Sequence, residues 1–323
     1  MIEMRSKWGE LIKGTGLQIL DAIDQGMELY TPGISSLLRM ETSDSAQKHF
    51  TGKVAENRIR RKDEAEDTDE LSRFKTYLTS VDYTAYAAKI EVSRETLMDR
   101  DFAGVLDEAT DIGRASNFTQ DEAGIQIFNG GFDTRKDSIL GYRYQYYGDG
   151  VPTFSVQHAT PVPGESAQSN ASATGIVLSD ANVETGRLAL RKQQTDAGGP
   201  MTMGGSETLV LPLALERTGR VITESERVSG SENNDINTYK GMVNMTTSVL
   251  MDAINDGSDT AWFLVVPGAT RFYHDTREAM QPWTEVDEDK KTLTVGIYGR
   301  FANYTTDWRR SWGSKGDGQA YSA

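Results

Sequence analysis

The most informative segment of the sequence is residues 89–132, KIEVSRETLMDRDFAGVLDEATDIGRASNFTQDEAGIQIFNGGF. Ser93 is a suitable N-cap, and Val92 and Leu97 stand at the two positions of a hydrophobic staple. Apolar residues then recur mostly every three or four positions, as in an amphipathic helix: Leu97, Met98, Phe102, Val105, Leu106, Ala109 and Ile112. The Asn-Gly-Gly sequence at 129–131 is a strong helix stop. The segment therefore predicts a helical region that ends at these glycines.

Two helical arrangements remain open within this segment. Thr119, with Glu122 three residues later, is a second helix-start pattern, so the helix could be broken near Asn117. A single helix of about 36 residues would instead be on the order of 54 Å long, at about 1.5 Å per residue. We favour one long helix with a kink.

Upstream of this helix lies a sharply divided block of charge. Four basic residues are followed at once by six acidic ones: Arg58, Arg60, Arg61, Lys62, then Asp63, Glu64, Glu66, Asp67, Asp69 and Glu70. Alternating stretches at Lys53–Ile59 and Phe74–Ala88 predict the two strands of a long hairpin with this charge block at its tip. A solvated loop is one interpretation of the block. A contact between copies of the chain is the other, because opposite charges on adjacent copies fix orientation and register.

Residues 8–50 begin with Trp8 and mix apolar residues with Gly, Thr and Ser. They predict an arm with one short amphipathic helix, Leu17–Gln25, that ends at Gly26 as a C-cap. Such a segment has little capacity to form a core alone. It could dock on its own domain, or it could pack on a neighbouring copy, where we predict that Trp8 makes an intersubunit contact.

The second half of the chain alternates helices and strands. Gly141–Pro152 predicts a strand followed by a Gly-Asp-Gly turn at 148–150. The later patterns predict, in order, a helix at 180–194, a strand at 208–211, a helix at 213–225, a strand with Val243 and Met245, a strand at 261–266 and strands within 292–308. The whole is a mixed α+β body.

Composition narrows the class of protein. With 37% hydrophobic residues and a mean hydropathy of −0.52, the 323-residue chain folds but leaves much surface for solvent or for other copies. Its formal net charge of −14 disfavours a protein that grips nucleic acid through its overall field, although the wall of a container could be acidic. The chain has no cysteine and no apolar run approaching about 18 residues, so we expect neither disulfides nor a membrane span.

No pattern in the sequence predicts a catalytic, cofactor or metal site. The three histidines, His49, His158 and His274, lie far apart and form no metal-binding motif. A triad through His158 stays open because geometry defines a triad, yet the GxSxG elbow is lacking. Gly14-Thr15-Gly16 does not continue to the third glycine of a dinucleotide-binding motif. We therefore predict a structural protein and not an enzyme.

One cluster near the C-terminus combines aromatic rings with cations: Trp308, Arg309, Arg310 and Trp312. This chemistry suits a contact with nucleic acid or a cation-π contact. Trp and Arg are also enriched in protein interfaces. In an acidic chain we favour packing between subunits or domains.

The order of these features resembles the major capsid proteins of tailed phages, which have the Hong Kong 97-type fold. That fold consists of an N-terminal arm, an extended β-hairpin loop, a peripheral domain with a long spine helix, and a mixed α/β axial domain. The best local likeness is to the major head subunits of Mu-like phages, from Lys89–Arg94 through Asp99–Asp101 and at Gly113–Phe132. A second likeness is DGVPTFS at 149–155, followed by His158 and Pro161.

The resemblance implies a division of the chain and a function. Residues 1–50 resemble the arm, 51–88 the extended loop, 89–140 and 285–323 the peripheral domain, and 141–284 the axial domain. Hexamers and pentamers of such subunits form an icosahedral head, which encloses double-stranded DNA without reading its sequence. The resemblance also implies scaffolding and portal proteins, and in some relatives a decoration protein, with assembly in the cytoplasm of a bacterial host and a final place in the virion.

Some implications of the resemblance stay open. The short arm implies either a separate scaffold or a scaffolding segment removed earlier. Some relatives join a loop lysine to an asparagine of a neighbour; Lys62 lies in a similar place, but no activating carboxylate is identifiable and we do not predict that bond. An encapsulin-like compartment with the same fold, and a tail or baseplate protein, are the alternatives to a head subunit.

Overall fold

The computed structural model describes residues 2–55, 61, 64, 73–98, 102–134, 141–145, 147–201, 204–227 and 236–321. The helices in these residues are α1 (Ile2–Glu28), α2 (Arg94–Met98), α3 (Phe102–Asn129), α4 (Asp180–Arg191) and α5 (Glu216–Glu224). Short 3-10 turns occur at Gly33–Ser36, Leu213–Leu215, Val249–Met251 and Ala253–Asn255. The strands are β1 (Arg39–Thr42), β2 (Gln47–Ala55), β3 (Arg73–Asp82), β4 (Thr84–Ser93), β5 (Tyr144–Gln145), β6 (Glu207–Pro212), β7 (Val243–Ser248), β8 (Trp262–Val265), β9 (Arg271–Asp287), β10 (Thr292–Asp307) and β11 (Ser311–Ser314).

The larger sheet is built on the long antiparallel pair β9 and β10. β4 pairs antiparallel with β10 along its other edge, β1 runs parallel to the first part of β9, and β5 adds a short parallel pair. α1 and α3 pack on this sheet through a shared apolar core that includes Ile19, Ile23, Val105, Ala109, Val295 and Ile297. The predicted strand within 141–152 is reduced to the two residues of β5.

The helical region predicted to end at the glycines after Asn129 is confirmed by α3, whereas one uninterrupted helix from Ser93 onward stays a prediction. α2 begins directly after Ser93, whose hydroxyl accepts the N–H of Thr96 at 3.2 Å, and α3 ends at Asn129. α3 is continuous through Asn117, so the predicted alternative of a break there is wrong. The Asn117 amide instead donates to the carbonyl oxygens of Met27 and Tyr30, at 2.7 and 3.1 Å, and so caps the end of α1. Residues 99–101, between α2 and α3, lie outside the described residues.

The N-terminal helix is longer than the sequence indicates. The predicted helix at 17–25 is one part of α1, and Gly26 does not cap it. A Cβ atom at Gly26 would lie 2.1 Å from the carbonyl oxygen of Thr110, and one at Gly113 would lie 2.0 Å from that of Ile23. The two glycines therefore permit a close crossing of α1 over α3, and the second half of α1 docks on its own chain.

The predicted hairpin is present with different bounds. β2 and β3 pair antiparallel, and Ala55 at the end of β2 lies opposite Arg73 at the start of β3. The charge block therefore lies in the connection between the two strands. The predicted strand at 74–88 is in fact two strands, because the chain leaves the hairpin at the buried Tyr83 and continues as β4 in the larger sheet.

The second sheet has the order β11-β8-β6-β7, in which β6 and β7 are parallel. α4 and α5 pack against it through a core that includes Val183, Leu190, Leu209, Ile222, Trp262 and Leu264. The helices and strands predicted between residues 180 and 266 correspond to α4, β6, α5, β7 and β8. Within the described part of the chain, no helix is both long enough and apolar enough to cross a lipid bilayer.

Candidate assembly interface

The hairpin of β2 and β3 has one face on the protein and one face in solvent. Lys48 and Phe50 on β2 alternate with exposed neighbours, and they lie opposite the buried residues Val81 and Thr79 on β3. This alternation places every second side chain on the inner face. The outer face of the described part of the hairpin, which includes the exposed residues His49, Leu78 and Ser80, is therefore available for contact with another molecule.

A buried polar cluster anchors the base of the hairpin. The Lys48 ammonium group of β2 forms an ion pair with Asp275 of β9, whose side chain is 0% exposed. The hydroxyl groups of Tyr83 and Tyr304 donate to the same carboxylate oxygen, at 2.9 and 3.2 Å. Burial disfavours the charged form of Lys48, but its hydrogen bond to Asp275 and the negative charge there raise the pKa of Lys48 above its ordinary value. The cluster thus holds a charged lysine between two strands that belong to different sheets.

Further contacts hold the end of β3. The side-chain amide of Gln145 accepts the N–H of Asp82 at 3.2 Å and donates to the carbonyl oxygen of Asp82 at 3.0 Å. The N–H of Gly148 donates to the hydroxyl of Thr79 at 3.2 Å, and a Cβ atom at Gly148 would lie 2.2 Å from the carbonyl oxygen of Leu78. The segment after β5 therefore lies tightly against the hairpin.

Most of the predicted intersubunit residues cannot be placed. Arg61 and Glu64 are exposed. The remaining residues of the charge block lie outside the described residues: Arg58, Arg60, Lys62, Asp63, Glu66, Asp67, Asp69 and Glu70. Trp8 belongs to α1, but its side chain also lies outside the described part. Their role as contacts therefore stays a prediction.

An exposed apolar surface, which the sequence does not reveal, lies at the ends of β6 and β7. Because these strands are parallel and Pro212 pairs with Ser248, Leu213 and Val249 follow them side by side. The Asp252 carboxylate accepts the N–H of Leu213 at 2.7 Å, which brings the turn with Ile254 to the same place. Leu213, Val249 and Ile254 are 46%, 52% and 89% exposed. We call these three residues the strand-end surface.

The aromatic and basic cluster near the C-terminus is buried, so direct contact of Trp308, Arg309 or Trp312 with nucleic acid is ruled out in this conformation. Arg309 forms ion pairs with Asp196 and with Asp307, donates to the carbonyl oxygen of Gln194 at 2.8 Å, and lies over the ring of Trp308 at 4.5 Å. Burial raises the pKa of Asp196 although Arg309 opposes this change. The cluster joins separate segments of the chain, in agreement with the domain-packing interpretation.

His158 lies beside this cluster and does not have the geometry of a catalytic base. Its ring stacks on Trp308 at 4.3 Å, its Nδ1 lies 2.6 Å from the Asp149 carboxylate, and its Nε2 lies 3.0 Å from Oδ1 of Asn170. That amide oxygen also accepts the N–H of Ser155, which fixes its orientation. Both ring nitrogens therefore face acceptors, and the position that a serine nucleophile would need is occupied by Asn170.

A cleft of about 480 Å³ lies between the end of α3 and the start of β8. Phe128, Phe132 and Phe263 line it, and the Lys315 ammonium group lies 5.9 Å from the centre of the Phe132 ring. Among the residues that the structure describes, no group of three or more His, Cys, Asp or Glu side chains could hold a metal ion.

Comparison with known proteins shows to which family the chain is similar. A family model described as phage capsid protein matches residues 79–311, which is more than half of the chain and includes the strands from β4 to β10. No curated protein sequence matches the chain.

Solved structures match it at low sequence identity, so they show the fold alone. The structure of Mycobacterium phage Patience has 14% identity and a TM-score of 0.54, covering 98% of this chain and 89% of that chain. The capsid of a native GTA particle has 12% identity and a TM-score of 0.55, covering 86% and 88%. The capsid of bacteriophage JBD30 has 13% identity and a TM-score of 0.52, covering 69% and 92%.

The expected Hong Kong 97-type fold is confirmed, since a long helix, an extended hairpin and two sheets occur together in a chain that matches capsid structures. The closer likeness to Mu-like head subunits is not confirmed by these comparisons and stays a prediction. Because the family model matches residues 79–311, which include all of α3 and the strands from β4 to β10, the chain belongs to the phage capsid protein family.

Proposed function

We propose that the chain is the major subunit of a tailed-phage head, which assembles as hexamers and pentamers into an icosahedral shell around double-stranded DNA. Its membership of the phage capsid protein family is the observation that carries this proposal. A hairpin with one free face, which a subunit can extend toward a neighbour, supports it further.

We propose the following roles for the segments. Residues 1–50 form the arm, 51–88 the extended loop, 89–140 and 285–323 the peripheral domain, and 141–284 the axial domain. The extended loop would lie over an adjacent subunit, where its divided charge block and Trp8 of the arm make intersubunit contacts. The strand-end surface would be a second contact between copies, because an exposed apolar cluster in a protein that self-assembles gains most by leaving water.

The proposed role needs no catalysis. Both ring nitrogens of His158 are occupied by hydrogen bonds within the protein, which supports a structural role for this residue. The net charge of −14 supports a wall that encloses DNA without binding it tightly. Scaffolding and portal proteins, and a decoration protein on the finished shell, are the further partners that this role implies. Assembly would take place in the cytoplasm of a bacterial host, and the finished subunit would reside in the virion.

Electron microscopy of the full chain, expressed with its neighbouring phage genes, tests the proposal. We expect closed shells of uniform size that contain DNA. Tubes or rings would indicate a tail or baseplate protein instead, and shells filled with an enzyme would indicate an encapsulin-like compartment. Persistent monomers would contradict all three.

A charge reversal tests the contact role of the charge block. Changing Arg60, Arg61 and Lys62 to Glu should greatly reduce the yield of shells while the subunit stays folded, because the changed residues would repel the acidic partner surface of a neighbour. Shell yield is measured by sedimentation, and folding by circular dichroism.

A charge-swapped variant is the matched control for this reversal. Adding Glu64→Lys, Glu66→Lys and Asp67→Lys restores the net charge but inverts the order of charge along the block. If the contact fixes register, this variant should also fail to form shells. Normal shells from the triple reversal would show that the block is only a solvated loop, and rescue by the swapped variant would show that the order of the two charges along the block does not matter.

A further inference from the structure

We propose that the ion pair between Lys48 and Asp275 positions the hairpin of β2 and β3, by fixing the direction in which the hairpin leaves the protein. The inference rests on the proposed function of the hairpin as a contact with a neighbouring subunit. It concerns two residues whose role is to orient that contact and not to make it.

The apolar contacts at the hairpin base hold the hairpin without fixing its angle. Phe50 packs on Tyr304 with ring centres 5.3 Å apart, and Val81 and Tyr83 pack in the same cluster with Tyr273 and Tyr304. Burial of apolar surface depends on area and has little directional preference. Aromatic side chains can slide over one another while most of that area stays buried.

Hydrogen bonds from Gln145 and Gly148 restrain the end of β3, and the ion pair adds a directional restraint on β2. Asp275 belongs to the middle of the larger sheet, where β1 pairs with β9 on one side and β10 pairs with it on the other. Tyr83 and Tyr304 hold its carboxylate from two further directions, at 2.9 and 3.2 Å. The Lys48 side chain is only 20% exposed, so any rotation of the hairpin that separates it from Asp275 leaves a buried carboxylate without its cation.

The position of Lys48 near the start of β2 also explains why a small movement at the base of the hairpin would affect its far end. Lys48 is the second residue of β2, and the strand continues to Ala55 before the chain enters the charge block. A small change of angle at Lys48 therefore becomes a larger displacement where a neighbouring subunit would be contacted. A subunit with a loose hairpin would have to lose that freedom during assembly, which weakens binding.

Distance measurement between two spin labels tests this inference on the full chain. The protein has no cysteine, so Lys75→Cys on β3 and Glu108→Cys on α3, both exposed positions, provide two unique attachment sites. In unassembled subunits we expect one narrow distance distribution. Lys48→Met should broaden that distribution and reduce the yield of regular shells.

Two further variants separate the loss of the ion pair from misfolding and from the mere loss of a lysine. The double variant Lys48→Met/Asp275→Asn removes both charges, so it leaves no unpaired buried charge that could prevent folding, and it should still broaden the distribution. Lys89→Met is the matched control, because it removes a lysine from an exposed pair with Glu91 at 2.7 Å, where we expect no broadening.

The two readouts separate the inference from the proposed function. A broadened distribution with defective shells supports both. A broadened distribution with normal shells supports the positioning role but contradicts the contact role of the hairpin. A distribution as narrow as that of the parent, in the double variant, overturns the inference whatever the shells look like.

Discussion

Gly113 lies where α3 crosses α1, and it leads to the most direct prediction about a single residue. Gly113→Ala should lower the free energy of unfolding by about 1–3 kcal/mol, because the new methyl group has to push the two helices apart. Its Cβ atom would lie 2.0 Å from the carbonyl oxygen of Ile23, which is a backbone atom that cannot rotate away. Urea unfolding of the subunit measures the change.

Gly14 on α1 provides the control for this substitution. A Cβ atom there has no neighbour within 4 Å, so Gly14→Ala should raise stability by up to about 1 kcal/mol through helix propensity. Equal effects of the two substitutions would contradict the close crossing. The sequence alone does not separate these glycines, since glycine at a helix end and glycine at a helix contact look alike. Gly26 was therefore predicted as a cap although it lies in a contact.

The elements that could be predicted are those whose pattern is local. α3, α4 and β6 follow from their apolar spacing and from the signals at their ends. β9 could not be predicted from the sequence, because its second half is exposed and contains Pro282. Such a pattern is typical of a loop. Among the described residues β1 pairs only with positions 273–276 of β9, so beyond them that side of β9 is a free edge where proline is tolerated. Long-range pairing with β10, and not local preference, makes this segment a strand.

The pairing of β9 with β10 gives a prediction about pH. His274 of β9 lies opposite Asn303 of β10, and its Nδ1 is 2.7 Å from the Asn303 amide oxygen. Burial lowers the pKa of His274 below its ordinary value of 6.5, although Asn303 and Asp275 oppose this change. The unfolded chain therefore binds a proton at a pH where the folded chain does not, so the contribution of His274 to stability decreases as the pH falls below that value.

His274→Gln isolates this contribution. Glutamine is neutral, and its amide can still donate to Asn303, so the variant should lose less stability than the parent between neutral and mildly acidic pH. Urea unfolding over that pH range, in both proteins, measures the difference. If the free energy of unfolding changes equally with pH in the two proteins, protonation of His274 does not couple to the pairing of the two strands.

At the scale of the whole molecule, the capsid fold was predictable from the sequence, but the surfaces that we propose for assembly were only partly so. The acidic charge, the low hydropathy and the absence of a catalytic motif in the sequence favoured a structural protein, and the order of elements indicated the capsid fold. The charge block stood out because charge is visible in a sequence. The strand-end surface did not, because Leu213 and Val249 look like core residues until the parallel pairing of β6 and β7 places them together at the surface.

Ile254 tests whether that surface joins copies of the chain. Because it is 89% exposed, Ile254→Ser should change the stability of the isolated subunit by no more than about 0.5 kcal/mol. If a neighbour covers it in the shell, the same change removes apolar burial from every contact and should raise the subunit concentration needed for assembly, measured by light scattering.

Leu188→Ser is the control: this residue is 45% exposed on α4, which packs on β8 and β11, away from the strand-end surface. No effect of Ile254→Ser, or an effect no larger than that of Leu188→Ser, would contradict a contact at the strand-end surface.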